Sequence, residues 1–187
     1  LSISFIFLNP FSCFYNFLGA LVYGLFYTVW LKRKSIWNIV IGGLAGSFAT
    51  LAGSAAVDPI LAPEAVILSV ILFLWTPPHF WSLAIAIGDD YRKANIPMLP
   101  NFLSNSLTSY IILFHTIILV CVMSLLIFYN ASIFYVTAVL LGGGYFIWTS
   151  IILAVKKSRA AAMSNFFGSF VQLGLLLLLI IIDGIII

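Results

Sequence analysis

Hydrophobic residues in this chain form long runs that short polar segments interrupt. Six of these runs have roughly the 20 residues that an α-helix needs to cross a hydrocarbon core of about 30 Å. They cover residues 11–31, 36–57, 64–87, 107–128, 131–155 and 165–187. The pattern predicts an all-α, polytopic membrane helix bundle with six complete transmembrane helices.

The N-terminal segment is hydrophobic but too short to cross a membrane. It ends at Asn9-Pro10, because the residue before a proline is disfavoured in a helix. We interpret residues 1–8 as the end of a seventh helix that begins upstream. Residues 1–187 are therefore expected to belong to a single transmembrane domain.

The composition supports the same fold class. The chain is 64% hydrophobic and 7% charged, whereas a soluble domain carries about 25% charged residues. This excludes a soluble protein, and the basic residues give no indication of nucleic-acid binding. They occur in three connections, at Lys32, Arg33 and Lys34, then Arg92 and Lys93, then residues 156–159. Because these are every second loop, the positive-inside rule predicts that all three lie on the cytoplasmic side, or the matrix side in a mitochondrion.

The third run and the loop after it contain the residues with the clearest chemical potential. Pro77 and Pro78 are expected to break the helix, since each lacks the amide N–H that an α-helix uses. If the helix is regular after Pro78, His79 and Asp90 lie on nearly one face, because 11 residues make about three turns. Asp89 would then lie roughly 80° away from that face, so the pattern favours Asp90 as the carboxylate paired with His79.

His79 would lie deep in the bilayer, where an ionisable residue is a functional candidate. Two interpretations stay open: His79 lines a cavity, or it is hydrogen-bonded to a neighbouring helix. His115, in the fourth run, has no polar neighbour on its face and is interpreted as structural. The small residues Gly42 and Gly46 are interpreted as a site of close helix packing.

The stretch from Trp75 to Pro100 resembles the signature of protohaem IX farnesyltransferases, a branch of the UbiA-type intramembrane prenyltransferases. The similarity extends over nearly the whole chain and implies that residues 1–187 are the C-terminal two-thirds of the domain. It rests on Pro78-His79, Asp90-Tyr91, Ile96-Pro97-Met98-Leu99-Pro100, Tyr27-Thr28, Leu31-Lys32-Arg33, Phe166 and Ser169.

This resemblance implies transfer of a farnesyl group from farnesyl diphosphate to the vinyl group of haem b, giving haem O. It implies His79 and Asp90 as catalytic residues and Asp90 and Asp89 as ligands of Mg²⁺. The residues expected to bind the diphosphate or the haem propionates are Lys32, Arg33, Tyr91, Arg92 and Lys93.

The family likeness also implies a location and partners. The membrane would be the bacterial plasma (inner) membrane or the mitochondrial inner membrane. The protein partners would be haem A synthase or a terminal oxidase assembly. Members of the family have two acidic motifs, and the basic face of this chain contains one. Residues 1–187 alone are therefore expected to be incomplete for catalysis.

Two alternative functions are also consistent with the sequence. One is a UbiA-type prenyltransferase that acts on a quinone precursor, against which the Ile96–Pro100 motif argues. The other is a non-catalytic membrane scaffold or part of a transporter. Internal sequence symmetry would favour a transporter, and the two halves of the chain do not resemble each other.

Overall fold

The structure is a computed structural model that describes residues 8–130 and 132–186, and these residues form helices and loops without a strand. Six helical segments are long and apolar enough to cross a membrane. They are Pro10–Leu31, Asn38–Val57, Pro63–Ala86, Asn105–Tyr129, Ile133–Lys156 and Arg159–Ile186. The predicted polytopic bundle with six complete spans is confirmed. The predicted helix end at residues 1–8 lies, apart from Leu8, outside the described residues.

We label the helices in chain order. The first span is α1 (Pro10–Leu21) with a π-helical continuation (Val22–Leu31), and the next two are α2 (Asn38–Val57) and α3 (Pro63–Ala86). A short helix α4 (Gly88–Lys93) and a 3₁₀ turn (Leu99–Asn101) lie in the loop before α5 (Asn105–Tyr129). The fifth span is α6 (Ile133–Thr137), a π-helical segment (Ala138–Gly143) and α7 (Gly144–Lys156), and the sixth is α8 (Arg159–Ile186).

Helix α3 has a central place in the bundle. It packs against α2, α5 and α8, while α7 packs against α5 and α8. Helices α3, α5, α7 and α8 thus form a four-helix group, to which α2 and then α1 are added on one side. Gly42 and Gly46 of α2 lie where α2 approaches its neighbours. A Cβ on Gly42 would lie 2.8 Å from the Tyr27 ring of the first span, and one on Gly46 would lie 3.4 Å from Leu72 of α3. Their predicted packing role is confirmed.

The helix does not break at the two prolines. Pro77 and Pro78 lie inside α3, which continues to Ala86. Both prolines are buried, so the helices packed around α3 hold its backbone where propensity alone would disrupt it. The expected break was wrong in its position.

The break occurs instead at Ile87, whose backbone (φ −122°, ψ 35°) leaves the helix. A new helix starts at Gly88, with Asp89 and Asp90 in its first turn, where acidic residues interact favourably with the helix dipole. The regular helix on which the common face of His79 and Asp90 depended is therefore absent between them. The last helix also differs from its prediction, since it begins at Arg159 and not near residue 165.

The three basic loops meet at one end of the bundle. The Asn38 amide donates to the carbonyl oxygens of Lys32, at 3.4 Å, and Pro97, at 2.8 Å. The Arg159 guanidinium reaches Asp89 in the second loop. At the opposite end, Asn130 donates to Asp183 at 2.9 Å. The common placement of the basic loops agrees with the predicted alternation of the spans.

A polar network lies in the middle of the four-helix group. The fully buried Asn165 of α8 donates to Ser82 Oγ of α3 at 2.8 Å. Its carbonyl oxygen accepts from the hydroxyls of Thr149, at 2.8 Å, and Ser150, at 2.9 Å, on α7. Ser150 also lies 3.0 Å from the Thr116 hydroxyl of α5. Asn165 thus connects α8 to α3 and α7, and the contact between Ser150 and Thr116 extends the network to α5. Lipid offers these polar groups no alternative partner.

Replacing Asn165 by leucine is expected to destabilise the bundle by about 1–3 kcal/mol, because it leaves the hydroxyls of Ser82, Thr149 and Ser150 without this amide. Unfolding of the purified protein in detergent by increasing denaturant measures the loss. The adjacent Ser164 is exposed, so Ser164→Leu introduces the same side chain without touching the network and serves as the control. Equal stability of the two variants would contradict the proposed role of Asn165.

Candidate active site

An open, basic cavity lies at the end of the bundle where the three loops meet. Arg33, Lys34 and Arg92 line it, together with residues 95–97 and Asn101-Phe102, and its volume is about 440 Å³. Its basic side chains come from the first and second loops. Such a site suits an anionic group, because guanidinium and ammonium groups bind phosphate and carboxylate oxygens.

A smaller, mainly aromatic and apolar cavity of about 200 Å³ lies between the first span, α2 and α3. Tyr23, Tyr27, Ile39, Gly42, Thr76 and Phe80 line it, and Lys32 lies at its basic end. The Lys32 ammonium is 5.7 Å from the centre of the Tyr27 ring. The cavity could therefore hold a hydrocarbon chain whose charged end lies near Lys32.

Asp89 is held by two arginines. Arg92 of the same helix donates to one of its carboxylate oxygens, and Arg159 at the start of α8 donates to the other at 2.6 Å. The hydrogen bonds from Arg159 and Arg92, in that order, and their charges lower the pKa of Asp89. Asp90 is exposed at the same end of α4. The two adjacent carboxylates therefore have different surroundings.

The stability contributed by Asp89 is expected to depend on pH. A carboxylate with a lowered pKa in the folded state stabilises the protein above its unfolded pKa of about 3.9, and the contribution disappears as the pH falls through the folded value. The difference in Tm between the wild type and Asp89→Asn should therefore shrink below about pH 4, as thermal unfolding from pH 7 to 3 would measure. In the control background Arg92→Gln/Arg159→Gln the Asp89→Asn substitution should change little. A difference that is independent of pH in the wild-type background would contradict this assignment.

Tyr91 is half-buried beside Tyr27 in the hydrophobic cluster below the loop. Burial raises the pKa of the Tyr91 phenol, and Tyr27 adds to the effect. Lys93 is exposed at the end of α4. Of these two predicted binding residues, Tyr91 thus contacts the hydrophobic core beneath the loop, whereas Lys93 is exposed.

His79 is enclosed between α3 and α8. Its ring stacks between Trp75, at 4.1 Å between centroids, and Phe166, at 4.5 Å. Nδ1 lies 2.7 Å from Ser169 Oγ. The Ser169 hydroxyl also donates to the Phe166 carbonyl at 2.6 Å, and a His79 tautomer with its proton on Nδ1 would then donate to Ser169. With 4% of its surface exposed, His79 fits the second interpretation, a bond to a neighbouring helix.

His115 packs edge-on against Trp81, with 5.3 Å between the ring centroids. Both residues border an apolar cavity of about 330 Å³ whose other walls come from Ile36, Trp37, Leu99, Leu103 and Ile111. Its lining residues Ile36, Trp37 and Leu99 lie between the spans, so this cavity also reaches the loop end of the bundle.

Asp90 and Asp89 are the residues expected to hold Mg²⁺. Within residues 8–130 and 132–186, no three His, Cys, Asp or Glu side chains converge on one point. Asp89 is also occupied by its two arginines. The assignment of Mg²⁺ to Asp90 and Asp89 therefore stays a prediction from the family resemblance.

The sequence matches one protein-family model over most of its length. The model of the UbiA prenyltransferase family matches residues 1–173. The chain belongs to the UbiA prenyltransferase family. The predicted family membership is confirmed.

Several curated relatives carry one name. Protoheme IX farnesyltransferase 2 of Paramagnetospirillum magneticum is 53% identical over 175 residues, which are 94% of this chain and 61% of the relative. Protoheme IX farnesyltransferase of Colwellia psychrerythraea is 37% identical over 94% of this chain and 58% of its own length. The corresponding protein of Trichormus variabilis is 41% identical over 89% of this chain and 53% of its own. The UbiA chain thus spans about three-fifths of the length of such relatives, and no solved structure matches it.

The predicted site residues of this UbiA protein fall into two groups. Lys32, Arg33, Arg92, Asp89 and Asp90 lie at the basic end. His79 is separated from them and lies inside the bundle. Sequence reasoning missed Arg159, which it used only to orient the spans, and the aromatic lining of the smaller cavity. The alternation of basic loops was the signal that could have placed Arg159 beside Asp89.

Proposed function

We propose that this chain forms the substrate-binding part of a protohaem IX farnesyltransferase, which transfers the farnesyl group of farnesyl diphosphate to a vinyl group of haem b and gives haem O. One observation carries the proposal: basic residues line an open cavity at the loop end of the bundle, and Lys32, the neighbour of Arg33 in the chain, lines a second, aromatic and apolar cavity. This arrangement suits a molecule with an anionic head and an isoprenoid chain. The shared name of the relatives supports haem as the acceptor.

The reaction starts at the basic end. The bond between C1 of the farnesyl chain and the diphosphate oxygen breaks, and pyrophosphate leaves with the electron pair. Arg33, Lys34 and Arg92 stabilise the negative charge that develops on the leaving group. A divalent metal such as Mg²⁺ would supply further screening of the diphosphate.

The allylic cation left behind needs an environment without nucleophiles. The rings of Tyr23, Tyr27 and Phe80 line the smaller cavity, and aromatic faces stabilise a cation while excluding water. The terminal carbon of the haem vinyl group then bonds to C1 of the farnesyl chain. The cation that results on the haem side chain takes up water and releases a proton, which leaves a hydroxyl group on that carbon and gives haem O.

The propionates of haem b are carboxylates, which the basic loops can bind in the same way as the diphosphate. The protein would lie in a bacterial plasma membrane or the mitochondrial inner membrane, with these loops on the cytoplasmic or matrix side. Haem A synthase or a terminal oxidase assembly is the proposed consumer of the product. Lys32, Arg33, Tyr91, Arg92 and Lys93 are the proposed substrate contacts, with Asp90 facing the diphosphate.

A hybrid protein tests the function. Residues 1–187 replace the matching segment of the Paramagnetospirillum magneticum relative, and the hybrid is expressed in cells that lack their own haem O synthase. Mass spectrometry of the extracted haems should detect haem O. A second arm expresses residues 1–187 alone and should give none, if a second acidic motif is required. A well-folded hybrid that leaves haem b unchanged would contradict the proposed function.

A further inference from the structure

A small polar cavity lies beside the Asp89 cluster and shares Arg92 and Asn101 with the 440 Å³ cavity. Its volume is about 80 Å³, and its polar lining consists of Arg92, Arg159, Asn101 and Asn105. The remaining walls are Ala84, Ile85, Gly88 and Pro100. Its size equals two or three water molecules at roughly 30 Å³ each. It can therefore take one phosphate or carboxylate group, whereas a macrocycle is too large.

The lining has an excess of positive charge. Two guanidinium groups, from positions 67 residues apart in the chain (92 and 159), converge on the single carboxylate of Asp89. One carboxylate balances one of them, so a net charge of about +1 borders the cavity. The two asparagine amides add neutral N–H donors.

Gly88 keeps this cavity open. A Cβ at this position would lie 3.7 Å from Asn101 Oδ1 and 3.9 Å from an Arg92 guanidinium nitrogen. A larger side chain at Gly88 would therefore enter the space between these two polar groups. The absence of a side chain at Gly88, where α3 meets α4, therefore leaves this space free.

We infer that the cavity formed by Arg92, Arg159, Asn101 and Asn105 is an oxyanion-binding site, in which Arg159 is a substrate-binding residue. The inference rests on the proposed function for the origin of the anion, which is a phosphate of farnesyl diphosphate or a propionate of haem. Asp89 holds the two arginines in place when the site is empty and competes with the anion for them. Arg159 couples the start of α8 to the loop that binds the substrate.

Binding of inorganic pyrophosphate to the wild-type chain in lipid nanodiscs, with EDTA present, tests the site without any farnesyl transfer. Isothermal titration calorimetry should show that Arg159→Gln weakens pyrophosphate binding by about tenfold, as expected for the loss of one charge-assisted contact. Lys156→Gln removes a charge from the same basic cluster without altering the cavity lining, and should bind like the wild type. Equal affinity of Arg159→Gln and Lys156→Gln would overturn the inference.

Two further variants separate binding from folding. Gly88→Val fills the cavity without changing the charge and should also lose pyrophosphate binding. Asp89→Asn removes the competing carboxylate and should tighten metal-free binding by about fivefold. Weaker binding by Asp89→Asn would show that Asp89 does not compete with the anion, which contradicts the inference.

A titration with haem b, followed by its Soret band, distinguishes the two sources of the anion. If Arg159→Gln weakens pyrophosphate binding and leaves haem binding unchanged, the site takes a phosphate. If it weakens haem binding as well, the site takes a propionate. Pyrophosphate binding that depends on Arg159 in a hybrid without haem O formation would retain the anion site and reject the proposed function.

Discussion

Replacing Arg92 by glutamine should lower the rate of farnesyl transfer by the hybrid protein by about 10²- to 10³-fold, the usual loss for one donor that stabilises a developing charge. Arg92 lines both the 440 Å³ and the 80 Å³ cavities and also binds Asp89. Among the basic residues that line these two cavities in the described part of the chain, Arg92 alone lines both. Its guanidinium is therefore placed to stabilise the negative charge that develops on the pyrophosphate leaving group.

Steady-state kinetics with haem b and farnesyl diphosphate would measure this effect. Because the negative charge on the leaving group grows in the transition state, kcat should fall along with kcat/KM. Lys156→Gln is the control, since Lys156 lies at the same end of the bundle but outside both cavities. Arg92→Gln with a kcat close to that of the wild type would remove Arg92 from the site.

Replacing Gly168 by valine should destabilise the four-helix group by about 3 kcal/mol, in the upper range for overpacking a core. Gly168 of α8 faces α7, and a Cβ there would lie 2.7 Å from Thr149 Oγ1 and 3.2 Å from its Cγ2. Thr149 cannot move freely because its hydroxyl is bonded to Asn165 and to the Phe146 carbonyl. The clash is therefore transmitted to the network that joins the helices.

Gly174 provides a matched control for this substitution. It lies on the same helix, and a Cβ there would meet nothing within 4 Å. Gly174→Val should cost little, as thermal unfolding in detergent would show. The double variant Gly168→Val/Thr149→Ala should recover part of the lost stability, because the alanine removes both clashing atoms. Equal Tm values for Gly168→Val and Gly174→Val would contradict the close approach of α7 and α8.

The spans could be predicted from the sequence because their apolar runs are as long as the membrane is thick. The boundaries that depend on more than hydrophobicity were less predictable. Arg159 marked a loop by its charge, although the alanines at positions 160–162 favour a helix and α8 begins there. The shared face of His79 and Asp90 failed because Gly88 permits a new helix start, which periodicity alone does not reveal.

Only the parts of the site that are formed by residues close together in the sequence could be predicted. The acidic and basic residues of the loop after α3 could be recognised together, and the positive-inside rule placed three loops at one end. The partner of Asp89 lies 70 residues away at Arg159, and the partner of His79 lies 90 residues away at Ser169. Such pairs depend on how α8 packs against α3, which one sequence does not encode in a visible pattern.

The acceptor of the prenyl group is the most direct test of the proposed function. The purified hybrid is given isotope-labelled farnesyl diphosphate together with haem b and an aromatic quinone precursor, and the labelled products are separated by chromatography. The account predicts label in haem O, with release of one pyrophosphate for each haem modified. Label in the quinone precursor, with unmodified haem b, would contradict it and assign the chain to another branch of the UbiA family.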